Sequence, residues 1–345
     1  MFEKRMSCVA ISSTPGSWRL AALLSLAMGL LLSSSLAAQQ PEPKASAPAK
    51  GAKSADDEKD EIPEPVELKG ADLVTKDGVS LAATYYPSNR GKKAVTVVLL
   101  HSFKSDRQEF DDLIEDLRKD EYAVLAPDLR GHGGSTAQMA GGATVKIDPT
   151  KMPSSEFVNM YAQDMEAIRS FLVKENDDGK LNLNALAIVG SEMGASVAVH
   201  FAGYNNCYLP RVEPGLRRMP SPDVKGLVLI SPSVNNPPSL SIITALKNYP
   251  ALKSDLPMLI LVGDGNRKAL ADADRISKLI KPYHPEPQDE SQKQTFFYGK
   301  LHTTLEGGKL FKAPELNINA IIAKFLKTCV ADQSYPWRQR RMSAN

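Results

Sequence analysis

The 345-residue chain is poor in cysteine, with three, poor in tryptophan, with two, and has no surplus of either charge. Three cysteines exclude a disulfide framework, and no Cys-x-x-Cys spacing is present for zinc or redox chemistry. Cys8 lies near the start, which leaves Cys207 and Cys329 either to pair in an oxidising compartment or to remain thiols. Forty-two Lys and Arg against 40 Asp and Glu give a net charge of +2, which offers no electrostatic footprint for nucleic acid. The 22 glycines and 24 prolines follow no period, and 42% of the residues are hydrophobic, so collagen-like and wholly disordered chains are excluded. The longest apolar run near the start, residues 20–32, is shorter than the ~20 residues that a membrane span needs.

That run follows Lys4, Arg5 and Arg19 and precedes Ser33 to Ala38. A charged start, a short apolar middle and small residues at the end describe a secretory signal over residues 1–37 with a cut before Ala38. Export to a periplasmic or extracellular site is the expectation, and a leader that escaped cutting would tether the protein to a membrane. Residues 38–66 hold five Pro, six Ala and seven Asp or Glu, with only Ile62 and Val66 as larger aliphatics. So little apolar surface does not offset the entropy of ordering, and the segment reads as a disordered spacer. Residues 67–329 then make one domain, and residues 330–345 a basic tail of the kind that is usually a solvated end.

Within the domain, residues 73–76 and 81–86 flank Asp77-Gly78, a hairpin signal. Continuous aliphatic runs follow at 95–100, 122–127, 186–190, 227–230, 258–262 and 295–298, the pattern of strands buried on both faces. Helical spacing separates them at 105–119, 155–174, 195–202, 269–280 and 316–326. Strands alternating with helices require right-handed crossovers and a three-layer α/β fold, a mostly parallel eight-stranded sheet with helices on both faces. Residues 136–154 and 234–255 break the rhythm and read as surface excursions able to roof a site.

In such a sheet ligands meet the carboxyl ends of the strands. The segments there are His101-Ser102-Phe103, Asp128 to Ser135, Gly190-Ser191-Glu192-Met193-Gly194 and Gly263-Asp264-Gly265-Asn266, with His302 after the last strand. On these residues, over about 68–326, the chain resembles the α/β-hydrolase family. The Gly190 to Gly194 segment is similar to the nucleophile elbow, a strained strand-to-helix turn with glycine on both flanks. The apex is Glu192, however, and serine stands one place early at Ser191.

The resemblance implies that His302 holds the base position, that Asp264 or Asn266 holds the acid position, and that the amides of Phe103 and Met193 form an oxyanion hole. Asn266 fits the family's spacing from Gly263, while Asp264 carries the right chemistry. A carboxylate at the apex has no proton to give to an imidazole and places charge where an oxyanion would be stabilised, so standard serine chemistry is expected to fail. Family members that use a carboxylate nucleophile carry Asp, one methylene shorter. The bland role of Glu192 is electrostatic, at a helix N-terminus, with an ion pair to His302 closing the old site. His132 reads as part of a turn, His101 as shaping its loop, His200 as packing and His284 as loop.

The function expected is therefore an exported hydrolase-fold protein that binds a small molecule or a protein. The alternative is an active hydrolase of ester or amide bonds that uses Glu192 or Ser191 with Asp264 and His302. Nucleotide binding is the third class, but the glycine-rich turn has Ser196 where a third glycine belongs and follows the fifth strand instead of the first. No metal site or cofactor is expected.

Overall fold

In the computed structural model, which describes residues 62–207, 222–289 and 293–340, an eight-stranded sheet carries two layers of packing. Its strands are β1 (Val66–Leu68), β3 (Ala83–Tyr86), β4 (Val95–Leu100), β5 (Ala123–Pro127), β8 (Asn182–Ser191), β9 (Val224–Ile230), β10 (Met258–Gly263) and β11 (Phe296–Leu301). The spatial order is β1-β3-β5-β4-β8-β9-β10-β11. From β5 to β11 every pairing is parallel, and β1 and β3 join antiparallel at one edge. The aliphatic strand residues divide by alternation, so that Val98, Leu100 and Ile188 face one buried cluster and Val97, Leu99 and Val189 the other. The leader expected over residues 1–37 lies outside the described residues. Among those described, no helix is long and apolar enough to cross a membrane.

The helices are α1 (Asp111–Lys119), α2 (Ser154–Asn159), α3 (Met165–Asp177), α4 (Met193–Cys207), α5 (Ile242–Asn248), α6 (Ala251–Ser254), α7 (Arg267–Ile280) and α8 (Ile318–Leu326). A π turn, Met160–Asp164, joins α2 to α3. It places Asp164 against the fully buried Arg130 at 2.7 Å, and Asp77 and Glu156 complete the shell at 2.7 and 2.5 Å. Burying a guanidinium is tolerable only with such multiple pairing.

Three expectations change. The outer partner in the sheet is β1, drawn from the end of the presumed spacer, and residues 73–76 form no strand. The Asp77-Gly78 turn exists, with Gly78 at φ +86°, but its second arm, β2 (Val79–Ser80), joins a separate three-stranded sheet with β6 (Ala137–Ala140) and β7 (Ala143–Lys146). Residues 136–154 thus contain a hairpin, whose tip, Gly141-Gly142, supplies two positive φ values. The second excursion folds as α5 and α6. Among the described residues Cys329 is a free, buried thiol, pushed up to about 11 by burial.

Within the basic tail, residues 335–340 are held by hydrogen bonds, although Pro336, Arg338 and Gln339 stay exposed. Three buried asparagines donate to its backbone: Asn182 to the Tyr335 carbonyl at 2.7 Å, Asn184 to that of Pro336, and Asn176 to that of Arg338 at 2.9 Å. The Trp337 indole donates to the Asn176 carbonyl at 3.1 Å, and Arg340 pairs with Asp223 at 2.6 Å. Asn182 and Asn184 have no other means of satisfying buried amides at the start of a central strand, which is why an extended segment suits them. Deleting residues 335–345 is expected to cost about 3 kcal/mol, at ~1 kcal/mol per buried hydrogen bond, and to lower Tm by roughly 6–10 °C. A melting curve unchanged by the deletion would return the tail to the status of a solvated end.

Candidate functional site

The strand-to-helix turn between β8 and α4 is set by steric exclusion. A β-carbon on Gly194 would overlap the Leu100 carbonyl, and one on Gly190 would meet the Gly194 carbonyl and the Ala195 nitrogen. The backbone between them takes a left-handed residue at its apex, and that residue is Glu192 at φ +47°. A non-glycine residue in that region is strained and is held by its surroundings; here the Glu192 amide donates to the Ile230 carbonyl at 2.9 Å. The elbow geometry inferred from the two glycines is present, with a glutamate at its apex.

The Glu192 side chain reaches the loop after β11. A β-carbon on Gly307 would collide with its carboxylate and with the Ser102 hydroxyl, and Gly307 adopts φ +54°. The Gly307 amide donates to the Ser231 hydroxyl at 3.0 Å, which bolts the loop to the end of β9. Burial raises the Glu192 pKa above the ordinary carboxylate value, and the charges of Glu109 and Glu306 raise it further against the opposing Lys309.

Ser191 is fully buried. Its hydroxyl shares a 2.9 Å hydrogen bond with that of Ser102, which itself donates to Glu109 at 2.9 Å. The Glu109 carboxylate also accepts the Ser102 amide at 2.9 Å. Glu109, Glu306 and Ser231 were not singled out from the sequence. Glu109 sits in the 3₁₀ turn Arg107–Phe110 that leads into α1 and Glu306 in a loop, and neither position carries a motif.

Of the two candidates for the acid position, Asp264 is the one whose carboxylate contacts the His302 Nδ1, at 2.7 Å. Asn266 instead caps α7, its side-chain oxygen accepting the amides of Lys268 and Ala269 at 3.0 and 3.1 Å. Among the described residues the ion pair expected between Glu192 and His302 is not formed; the His302 side chain is 85% exposed and its ion-pair partner is Asp264. Among the described residues, the amides of Phe103 and Met193 have no hydrogen-bond partner. His101 accepts the Leu129 amide at 3.0 Å through Nε2 and bonds the Ser102 carbonyl at 2.7 Å through Nδ1, which leaves it neutral and depressed by burial.

His132 bonds the Arg130 carbonyl at 2.9 Å and lies edge-on to Phe103; burial pulls it down to about 4. His200 stacks on Tyr161. His284 lies in a loop, as read from the sequence, but is buried there against Phe296 and bonds the Thr295 hydroxyl at 2.7 Å. Among the described residues no group of three or more His, Cys, Asp or Glu is placed to hold a metal ion.

Comparison with known proteins now has a geometry to meet. The family described as serine aminopeptidase, S33, matches residues 91–273, more than half of the chain. An esterase from Pyrococcus furiosus superposes with a TM-score of 0.52 at 18% identity, over 77% of this chain and 91% of its own. An acylaminoacyl peptidase from Pyrococcus horikoshii gives 0.54 at 13% identity, over 81% of this chain and 43% of its own. An α/β hydrolase from Penicillium sp. sh18 gives 0.51 at 12%, over 78% and 99%. At these identities the likeness is one of fold. No curated protein matches the chain.

The field around Glu192 has a measurable consequence. A carboxylate raised in the folded state contributes stability that is present at low pH and lost as pH rises through its folded value. Glu192→Gln removes that loss, so it is expected to melt above the unaltered protein at pH 7 and level with it near pH 4. A variant that melts lower at pH 7 would mean that the ionised carboxylate is an asset to the fold.

Proposed function

Because the chain belongs to the S33 serine aminopeptidase family of α/β-hydrolases and yet presents Glu192 at the apex of its elbow, we propose that it is an exported member without standard serine-hydrolase activity, which binds a small molecule or a protein through the inherited site. One observation carries the reading. The apex group is a carboxylate set among Glu109, Glu306 and Ser102, a side chain with no proton for an imidazole to remove. An acyl transfer needs an alcohol or thiol whose proton the imidazole removes. Glu192 offers none, and the neighbouring Ser191 is sealed from solvent by its bond to Ser102.

The active-hydrolase reading draws on a single feature, the intact contact between Asp264 and His302. A base so oriented is worth about 10²- to 10⁴-fold when it touches the reacting group. That range gives the test its scale. The unaltered protein is expected to leave p-nitrophenyl acetate unhydrolysed above background and to resist a fluorophosphonate probe.

Glu192→Ser is expected to remain folded and to gain less than ~10-fold, because the His302 side chain is 85% exposed, so that a serine hydroxyl would compete with water for its free nitrogen. A gain of ~100-fold or more, or labelling of Ser191, would establish the active reading instead. For export, N-terminal sequencing of the protein recovered outside the cytoplasm is expected to begin at Ala38; a chain beginning at residue 1 in the cytoplasmic fraction would refute it.

A further inference from the structure

We propose that the cleft at the N-terminal end of the sheet, walled by the docked C-terminal segment, binds an organic phosphate joined to a flat apolar group. The cleft measures about 410 Å³, a volume suited to one small molecule. It lies at the end of β4 and β8 opposite to the elbow, so its occupancy is independent of the fate of Glu192.

The lining sets the chemistry. Lys92 and Lys93, adjacent in the 3₁₀ turn Gly91–Lys93 just before β4, both line the cleft, and no Asp or Glu does. Both are exposed, and among the described residues neither has a carboxylate within ion-pair distance. Two adjacent ammonium groups without a local counter-charge balance a phosphate monoester, whose charge near pH 7 is about −1.5 to −2. Ser334 also lines the cleft.

The remainder of the cleft is apolar and aromatic. Val95, Ala185 and Val330 line its inner side, and Tyr335 and Trp337 line the tail side. The Trp337 ring is fixed by its bond to the Asn176 carbonyl, and Lys92 Nζ already sits 4.2 Å from the ring centroid. A held indole beside a cation suits a flat ring that carries an anion, since stacking adds to charge pairing. The tail supplies this wall only because Asn176, Asn182 and Asn184 hold its backbone, so the docked segment is part of the site.

The test uses the full chain with phenyl phosphate as the probe, inorganic phosphate and benzyl alcohol as separate arms, and calorimetry together with tryptophan fluorescence. The chain has two tryptophans, Trp18 and Trp337, so Trp18→Phe makes Trp337 the only reporter. Phenyl phosphate is expected to saturate the protein below about 1 mM and to change the Trp337 emission. Inorganic phosphate is expected to bind at least ~10-fold more weakly, for want of the stacked ring, and benzyl alcohol not at all. Added salt and the Lys93→Ala variant are each expected to weaken binding, while Lys93→Arg retains it.

Equal melting temperatures for the Lys93 variants show that the fold is intact. Four results would overturn the proposal: no saturation by about 10 mM, inorganic phosphate binding as well as phenyl phosphate, heat of binding without a Trp337 response, or a Lys92→Ala/Lys93→Ala double variant that binds like the unaltered protein.

Discussion

The close approach of α4 to β4 governs the functional end of this molecule. Gly194 lies against the Leu100 carbonyl with no space for a β-carbon, and Gly190 lies against Gly194 in the same way. A helix that starts so near the sheet leaves its connecting residue one route, the left-handed region, and lifts whatever side chain stands there above the strand ends. The constraint is indifferent to chemistry. It would present a serine or an aspartate as readily as the glutamate found here, so the fold by itself does not select the apex side chain.

Once the apex carries a carboxylate, its surroundings follow from electrostatics. Glu109 holds the Ser102 amide and hydroxyl, and Ser102 holds Ser191, so a buried polar network lies beside the apex. The loop at Gly307 closes on the same carboxylate because it has no side chain, and Ser231 pins it there. Burial and two further acidic residues make the ionised form of Glu192 costly. Asp264 and His302 meanwhile retain the contact that orients an imidazole.

Much of this was legible in the sequence, and for identifiable reasons. Strands buried on both faces leave continuous aliphatic runs, and the elbow leaves two glycines at fixed spacing, because both are imposed by steric contact. The acid position was less legible. Spacing from Gly263 favoured Asn266, but an asparagine before a helix is also an N-cap, and that local role prevailed. The hairpin at Ala137–Lys146 was hidden in a segment read only for its glycines and prolines, although Gly141-Gly142 between two short alternating runs is a two-residue turn. Glu109, Glu306 and the tail contacts belong to a different category, since they depend on residues far apart in the chain meeting at one point.

The tail shows how strongly such meetings matter. Three arginines in the last residues read as solvated charge, yet what fixes the segment is mostly its backbone, read by asparagines near the start of β8. That strand is buried along all ten residues and carries Glu192 just beyond its far end. It is therefore anchored twice, by the extended tail where it begins and by the glycine contacts where it ends. A strand held at both ends and packed on both faces keeps its register whatever its terminal side chain does. The scaffold therefore keeps its geometry with an acid at the apex.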